Sequence, residues 1–278
     1  MEQEFITNAL YSAANSLSLI ITAPPAYGWH YKSAGSKVTD SNGNVRWLRV
    51  IAWPRHQKNE RVWYGAKSTT QIKGVRKPSW FSDYEWDINE MRCRADILEF
   101  IADKLISDTP DLRCDFQPTE KWLSDLRISL EELHTTPTDR VSVRQDLVTR
   151  RLRERFGQNV DANVLEWETS HGDLHWANLT SPVCFLLDWE AWGVAPKAFD
   201  VALLYLFTLQ QPRAARMLYD CFKDWLDNPI GHKAQMFACA ELLRMSETYA
   251  DHLKLYPFLI RRAEELSSLY NLTVLKPQ

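Results

Sequence analysis

The chain reads as an α+β protein, strand-rich in its N-terminal third and helical thereafter, and three observations predict this. Two β-rich runs, HYKSAGSKVTD and VRWLRVIAW, flank the turn residues Ser41-Asn42-Gly43-Asn44. A second pair, WFSDYEWDI and MRCRADILEFI, flanks Asn89-Glu90. From about Ile106 onward, apolar residues recur at helical spacing instead. Strands first and helices after, without alternation, is the α+β order. It predicts two lobes with a boundary near residues 101–106: a lobe over residues 1–103 and a helical lobe over residues 104–278.

Each element has its own signal. Asn-Gly between β-rich runs marks a hairpin, because both residues tolerate the positive φ of a tight turn. NERVWYGAKSTTQI predicts a helix that opens near Asn59 and closes near Gly74, where a glycine stops the helix. In TEKWLSDLRISLEELHTT, the residues Trp122, Leu126, Ile128, Leu130 and Leu133 are expected on one buried stripe. VRQDLVTRRLRERF is a second helix with a basic outer face. PKAFDVALLYLFTLQ, AARMLYDCFKDWLD, HKAQMFACAELLRMSETYADHL and YPFLIRRAEELSSLY carry helical periods to the end of the chain.

Composition narrows the function. An apolar fraction of 45% and a charged fraction of 25% over 278 residues describe an ordinary globular protein long enough for two cores. A net charge of -3 lacks the basic surplus of a nucleic-acid binder, so no nucleic acid is expected as partner. Cys93, Cys114, Cys184, Cys221 and Cys239 are widely spaced and form no CxxC pair, which speaks against a disulfide framework or a zinc site and for a reducing cytoplasm. The N-terminus has two acids near its start and no basic region, unlike a signal peptide. No run of eighteen apolar residues predicts a membrane span. Of the twelve tryptophans, most are expected in packing and some in a binding groove.

The chemistry is concentrated in residues 168–193, ETSHGDLHWANLTSPVCFLLDWEAWG. His171-Gly172-Asp173 ends a short strand, VLEWET, and Asn178 follows five residues after Asp173. A turn at Ser181-Pro182 predicts a hairpin that returns through Val183 to Leu187 and ends on Asp188. Such a hairpin would bring Asn178 and Asp188 together, and an amide oxygen with a carboxylate suits Mg2+. Asp173, set apart by a loop, is then free to take the proton of a substrate hydroxyl. Taken singly, Asp173 reads as an Asx turn and Asn178 as a turn cap. Their combination in this order points to phosphoryl transfer, which needs in-line positioning, neutralised phosphate charge and an oriented nucleophile.

HGDLHWAN followed by FLLDWE resembles the catalytic segment of the aminoglycoside phosphotransferase and choline kinase-like superfamily, relatives of the protein kinases. The resemblance implies a bilobal protein-kinase-like fold, ATP or GTP as co-substrate, Mg2+ as cofactor and a small-molecule hydroxyl as acceptor. It makes Asp173 the catalytic base and Asn178 and Asp188 the metal ligands. His171 would brace the loop, and Asp200 in PKAFDVALL would support it from the start of a helix.

Arg49 in VRWLRVIAW resembles the basic strand position that holds nucleotide phosphates, with Arg46 as the alternative and Glu60 as its helical partner. MRCRADILEFI resembles the run into the inter-lobe hinge, placing the backbone of Glu99, Phe100 and Ile101 at the adenine edge. Only Gly28 and Gly35 stand where a glycine-rich loop would cover the phosphates, the largest departure from the family pattern. His175 and Trp176 read as packing residues. For the acceptor, Glu190, Trp192, Glu241 and Glu247 are candidates, with Asp251 one turn beyond Glu247; an acid cluster would suit an aminoglycoside. An antibiotic kinase is thus the leading expectation. A metabolic kinase for choline, a sugar or an amino-alcohol, and a nucleotide-binding pseudokinase, are the alternatives.

Overall fold

A computed structural model describes residues 2–57, 59–249 and 253–275. The chain divides into two compact units, the first comprising residues 1–72, 77–102 and 187–190, the second residues 73–76, 103–186 and 191–278.

The first unit opens with α1 (Gln3–Ser16), a helix where strands and turns were expected. Ile6, Ala9, Leu10 and Ala13 recur at intervals of three and four residues and are fully buried. This stripe packs into one cluster with Ala34, Val38, Leu48, Val50, Ala52, Cys93 and Ala95 of the sheet. The strands are β1 (Ile20–Ile21), β2 (Ala26–Tyr27), β3 (Ser33–Thr39) and β4 (Val45–Pro54). After α2 (Glu60–Trp63) and α3 (Gly65–Ser68) come β5 (Trp80–Ile88) and β6 (Met91–Glu99). They form an antiparallel sheet in the order β1-β3-β4-β6-β5, with β2 also paired to β3. The β3–β4 turn forms as the sequence predicts. Asp40 Oδ1 accepts the N–H groups of Asn42 and Asn44, each at 2.9 Å, and Gly43 takes φ +81°.

Strand alternation gives the sheet two unlike faces. Leu48, Val50 and Ala52 join the α1 cluster, while Arg49 alternates to the other face, directly opposite Asp96 in the β4–β6 register. On that face Arg94 is fully buried among Glu85 (2.6 Å), Asp96 (2.9 Å) and Asp83 (3.0 Å). The segment after Asn59 covers this network: Trp63 Nε1 donates to Glu85 at 3.0 Å, and the Tyr64 ring lies 4.9 Å from the Arg94 guanidinium. The continuous helix expected here is broken. Asn59 caps α2 through the Val62 N–H, the chain leaves helical geometry at Tyr64, and a 3-10 turn over Thr69–Gln71 ends the segment before Gly74.

The second unit comprises β7 (Lys104–Leu105), α4 (Glu120–His134), α5 (Gln145–Phe156), β8 (Trp167–Ser170), β9 (Thr180–Ser181), β10 (Gly193–Pro196), α6 (Phe199–Thr208), α7 (Pro212–Cys221), α8 (Lys223–Leu226), α9 (Pro229–Thr248) and α10 (Tyr256–Ser268). Thr119 caps α4 by accepting the Trp122 N–H at 3.1 Å. Trp122, Leu126, Leu130 and Leu133 are buried, but Ile128 is 52% exposed. At 100° per residue it lies on the far side from Leu126. The apolar helices α6 and α9 form the centre, and α5 and α10 pack on α9. No described helix is long and apolar enough to cross a membrane.

The hairpin expected after Asn178 forms only in brief, through an isolated antiparallel bridge between Leu179 and Leu186 and a Thr180 N–H bond to Phe185 O at 3.3 Å, and β9 also pairs with β7. Pro182 has no N–H to offer a ladder. The Thr180 hydroxyl takes over, donating to Val183 O at 2.6 Å and accepting the Phe185 N–H at 3.0 Å.

Candidate functional site

In the second unit, β8 pairs with β10 from Trp167 opposite Pro196 to Ser170 opposite Gly193, and delivers His171-Gly172-Asp173. Asp200, in the first turn of α6, is buried beneath this segment. Its Oδ2 accepts the His171 N–H at 2.6 Å and its Oδ1 the Gly172 N–H at 2.8 Å. Burial raises the Asp200 carboxyl above its usual pKa, with His171 and these two donors acting against it. Gly172 has φ +80°, and a Cβ there would lie 2.2 Å from Ser142 Oγ and 2.6 Å from Ala191 O, so only glycine fits.

Beyond this anchor the Asp173 side chain is 51% exposed. Asn178 folds back on the loop: its Nδ2 donates to Asp173 O at 3.0 Å and lies 3.2 Å from His175 Nε2. The amide nitrogen is thereby committed, which leaves Oδ1 as the oxygen a ligand would meet. His175 Nε2 is 3.7 Å from Asp173 Oδ2. Trp176 is fully buried, donates from Nε1 to Thr208 Oγ1 at 2.8 Å, and stacks 5.8 Å from Trp122.

The first unit carries Asp188, Arg49 and the residues expected at the nucleotide. Asp188 takes φ +58°, and its side chain is 45% exposed. Arg49 reaches the Asp188 carboxylate at 3.6 Å and is in direct contact with Glu190. Arg46, the alternative, lies 4.3 Å over the Phe81 ring. Glu99 is tied to Ser79, whose N–H and hydroxyl donate to Glu99 Oε2 at 3.1 and 2.9 Å. Phe100 stacks on Trp47 at 6.5 Å, with Lys37 5.0 Å over its ring, and Ile101 follows. Trp47 also lies over Gly35, where a Cβ would come within 2.6 Å of the indole. Trp47 is two residues before Arg49 on β4 and so shares its face, a period-2 signal that the sequence reading passed over. The β2–β3 turn, where the sequence lacks the family's glycine-rich run, is aromatic: Trp29-His30-Tyr31, with positive φ at His30 and Tyr31.

No family model matches the sequence, and no curated protein matches it either. Solved structures do match over nearly the whole chain. An amicoumacin kinase in complex with AMP-PNP, Ca2+ and Ami aligns with TM-score 0.62 at 12% identity, covering 94% of this chain and 93% of that one. A thermostable mutant of an aminoglycoside phosphotransferase in its apo form aligns with TM-score 0.63 at 10% identity, covering 94% and 99%. A putative fructosamine-3-kinase from Thermobifida fusca aligns with TM-score 0.55 at 15% identity, again covering 94% and 99%. The chain has the protein-kinase-like fold of these enzymes.

Within this protein-kinase-like chain, several expected site residues are engaged elsewhere. Glu60 opens α2 as expected but lies 3.4 Å from Arg92 at the surface, not beside Arg49. Glu190, expected toward the acceptor, contacts Arg49 instead. Trp192 is fully buried, with the Arg140 guanidinium 4.6 Å over its ring, so it is a core residue. Glu241 contacts Arg151 and lies 3.4 Å from Arg244, and Glu247 meets Arg155 at 2.6 Å. Arginines from α5 pair with both acids. Asp251 lies outside the described residues. A cavity of about 310 Å³ in the second unit, between α5 and α9, is lined by none of these residues.

Taken each within its own unit, Asn178 and Asp188 carry the hard oxygen donors that magnesium takes. Asn178 has its amide oxygen uncommitted among the described residues, and Asp188 offers a half-exposed carboxylate. Among the described residues no group of three or more His, Cys, Asp or Glu side chains gathers as a closed metal cage. A Mg2+ ion held by one or two protein oxygens together with waters and substrate phosphates requires no such cage.

Proposed function

We propose that this chain is a kinase that moves the γ-phosphoryl group of ATP or GTP onto a hydroxyl of a small molecule, an antibiotic being the favoured acceptor. The observation that carries the reading is the anchored loop: Asp200 grips the backbone at His171 and Gly172 while Asp173 stays half exposed and Asn178 is turned by its committed amide nitrogen. A loop held by backbone donors while its carboxylate faces outward is what positioning an attacking hydroxyl requires.

In this reading Asp173 accepts the proton of the acceptor hydroxyl as its oxygen attacks the γ-phosphorus. The bond from that phosphorus to the β–γ bridging oxygen breaks, and the nucleoside diphosphate leaves. Asn178 and Asp188 would hold Mg2+, which when bound neutralises phosphate charge. Arg49 would hold the α- and β-phosphates, and the backbone from Glu99 to Ile101 would meet the base. The AMP-PNP and Ca2+ named for the amicoumacin kinase complex support a nucleotide and a divalent cation as ligands here. The amicoumacin kinase and aminoglycoside phosphotransferase among the neighbours favour an antibiotic acceptor, and the putative fructosamine-3-kinase favours a metabolic one. With Glu241 and Glu247 paired to arginines, nothing at those positions recommends a polycation.

The test is to incubate the protein with Mg2+, ATP or GTP and a panel of antibiotic, sugar and amino-alcohol acceptors, and to seek an added phosphate by mass spectrometry. Asp173→Ala should lower transfer by roughly 10²-fold or more with the melting temperature preserved. Full transfer by that variant would refute the proposal. Nucleotide binding without transfer to any acceptor would favour a pseudokinase.

A further inference from the structure

We propose that Glu190 is the carboxylate that orients Arg49 for nucleotide phosphates, a role the sequence assigned to a helical glutamate. The proposal rests on the kinase reading and deepens its nucleotide side. It follows from where each acid near Arg49 is engaged. Asp96, directly opposite Arg49 in the β4–β6 register, is taken by Arg94 at 2.9 Å and by Trp80 Nε1 at 2.9 Å. Asp83 and Glu85, on β5, both bind Arg94, and Lys67 and Trp63 Nε1 also donate to them. Glu60 is spent on Arg92 and its side chain is 55% exposed. Among the described residues, the carboxylates that remain within ion-pair distance of Arg49 are Glu190, in contact, and Asp188, at 3.6 Å.

The backbone geometry favours the same pair. The chain breaks helical form at Tyr64, and at Gly65 it comes so close to the 189–190 segment that a Cβ would sit 2.6 Å from Glu190 Cα and 2.8 Å from Trp189 O. The loop that carries Glu190 therefore packs directly against the junction of α2 and α3. Arg49 and Glu190 side chains are only 14% and 26% exposed, so their attraction is less screened than a surface pair's. Since Asp188 is assigned to the metal, Glu190 is the partner that stays on Arg49 when nucleotide is bound. A planar guanidinium gripped on one edge presents its other N–H groups in a fixed direction, which suits phosphate oxygens. Glu190 thus acts as a positioning residue, and it ties the phosphate-binding arginine to a residue two positions from Asp188.

The test compares AMP-PNP with adenosine by titration calorimetry, in the presence of Mg2+, on wild type, Glu190→Gln and Glu190→Asp. The expected result is roughly tenfold or greater weakening for AMP-PNP in Glu190→Gln, adenosine affinity unchanged, and partial recovery in Glu190→Asp. In steady state the KM for ATP should rise while the KM for the acceptor stays put. Arg49→Lys, which keeps the charge and loses the planar fork, should show the same selective loss, and it serves as a second probe should Glu190→Gln fold poorly. Unchanged AMP-PNP binding in Glu190→Gln overturns the inference. So does a rise in acceptor KM alone, or weakening by Glu60→Gln and not by Glu190→Gln. Wild type that binds neither ligand overturns the kinase reading itself, a result distinct from the others.

Discussion

Replacing Asp200 with asparagine tests how the loop bearing Asp173 is held. The aspartate is buried, and its two oxygens accept one backbone N–H each, at 2.6 and 2.8 Å. Asparagine preserves the shape, so no cavity opens, but it keeps one acceptor and turns an NH2 group toward the second N–H. A hydrogen bond to a charged group contributes about 1.5–3 kcal/mol, and a buried donor left unsatisfied costs about 1–3 kcal/mol. Removing the buried charge returns part of its desolvation penalty, which is why the net loss is set at about 2–3 kcal/mol. At about 1.4 kcal/mol per decade this is roughly a 30- to 150-fold shift in the folding equilibrium. It corresponds to a drop of about 4–12 °C in the melting temperature of a unit this size. The assay is urea unfolding followed by circular dichroism, with phosphoryl transfer measured on the folded variant. A change below about 0.5 kcal/mol with transfer intact would refute the view that Asp200 anchors the loop.

Glu168 and His134 are buried 3.3 Å apart; burial pushes Glu168 up to about 7 and His134 down to about 4, so both are neutral between those values. A raised carboxyl stabilises fully below its ordinary pKa and loses that contribution as pH rises through about 7, while the lowered imidazole acts in the opposite sense on the acid side. In wild type the two slopes oppose each other. Glu168→Gln keeps an acceptor for the Ala198 N–H, and by denaturation it should gain stability over wild type as pH rises from 5 to 7.5; parallel curves would refute the assignment. Gly172→Ala should lower stability by about 2 kcal/mol or more, because its φ is positive and Ala191 O is rigid backbone; a neutral effect by calorimetry would show that the loop relaxes. Leu10→Ala should cost about 2–5 kcal/mol in unfolding of the first unit, and a value under 1 kcal/mol would mean that α1 is not part of its core.

Much of this molecule was legible because short-range rules govern it. The Asn42-Gly43 turn, the β5–β6 pair around Asn89 and the stripe on α4 follow from turn chemistry and periodicity, which need no knowledge of distant residues. The buried stripe of α1 obeyed the same rule and could have been read. His171-Gly172-Asp173, Asn178 and Asp188 were singled out together by order and spacing, and Gly172 and Asp188 both adopt positive φ. The broken helix after Asn59 was not legible, since at Gly65 the chain packs closely on residues 189 and 190, more than a hundred positions away.

The partners of the acids were equally hidden. Glu60, Glu190, Glu241 and Glu247 look alike in a sequence, yet they face Arg92, Arg49, Arg151 and Arg155 respectively. Local propensity and residue order therefore determined the elements and the chemical vocabulary of the loop. Which charge meets which, and so which acids are left for a ligand, was decided by tertiary packing, because Coulomb attraction depends on distances that only the folded chain defines.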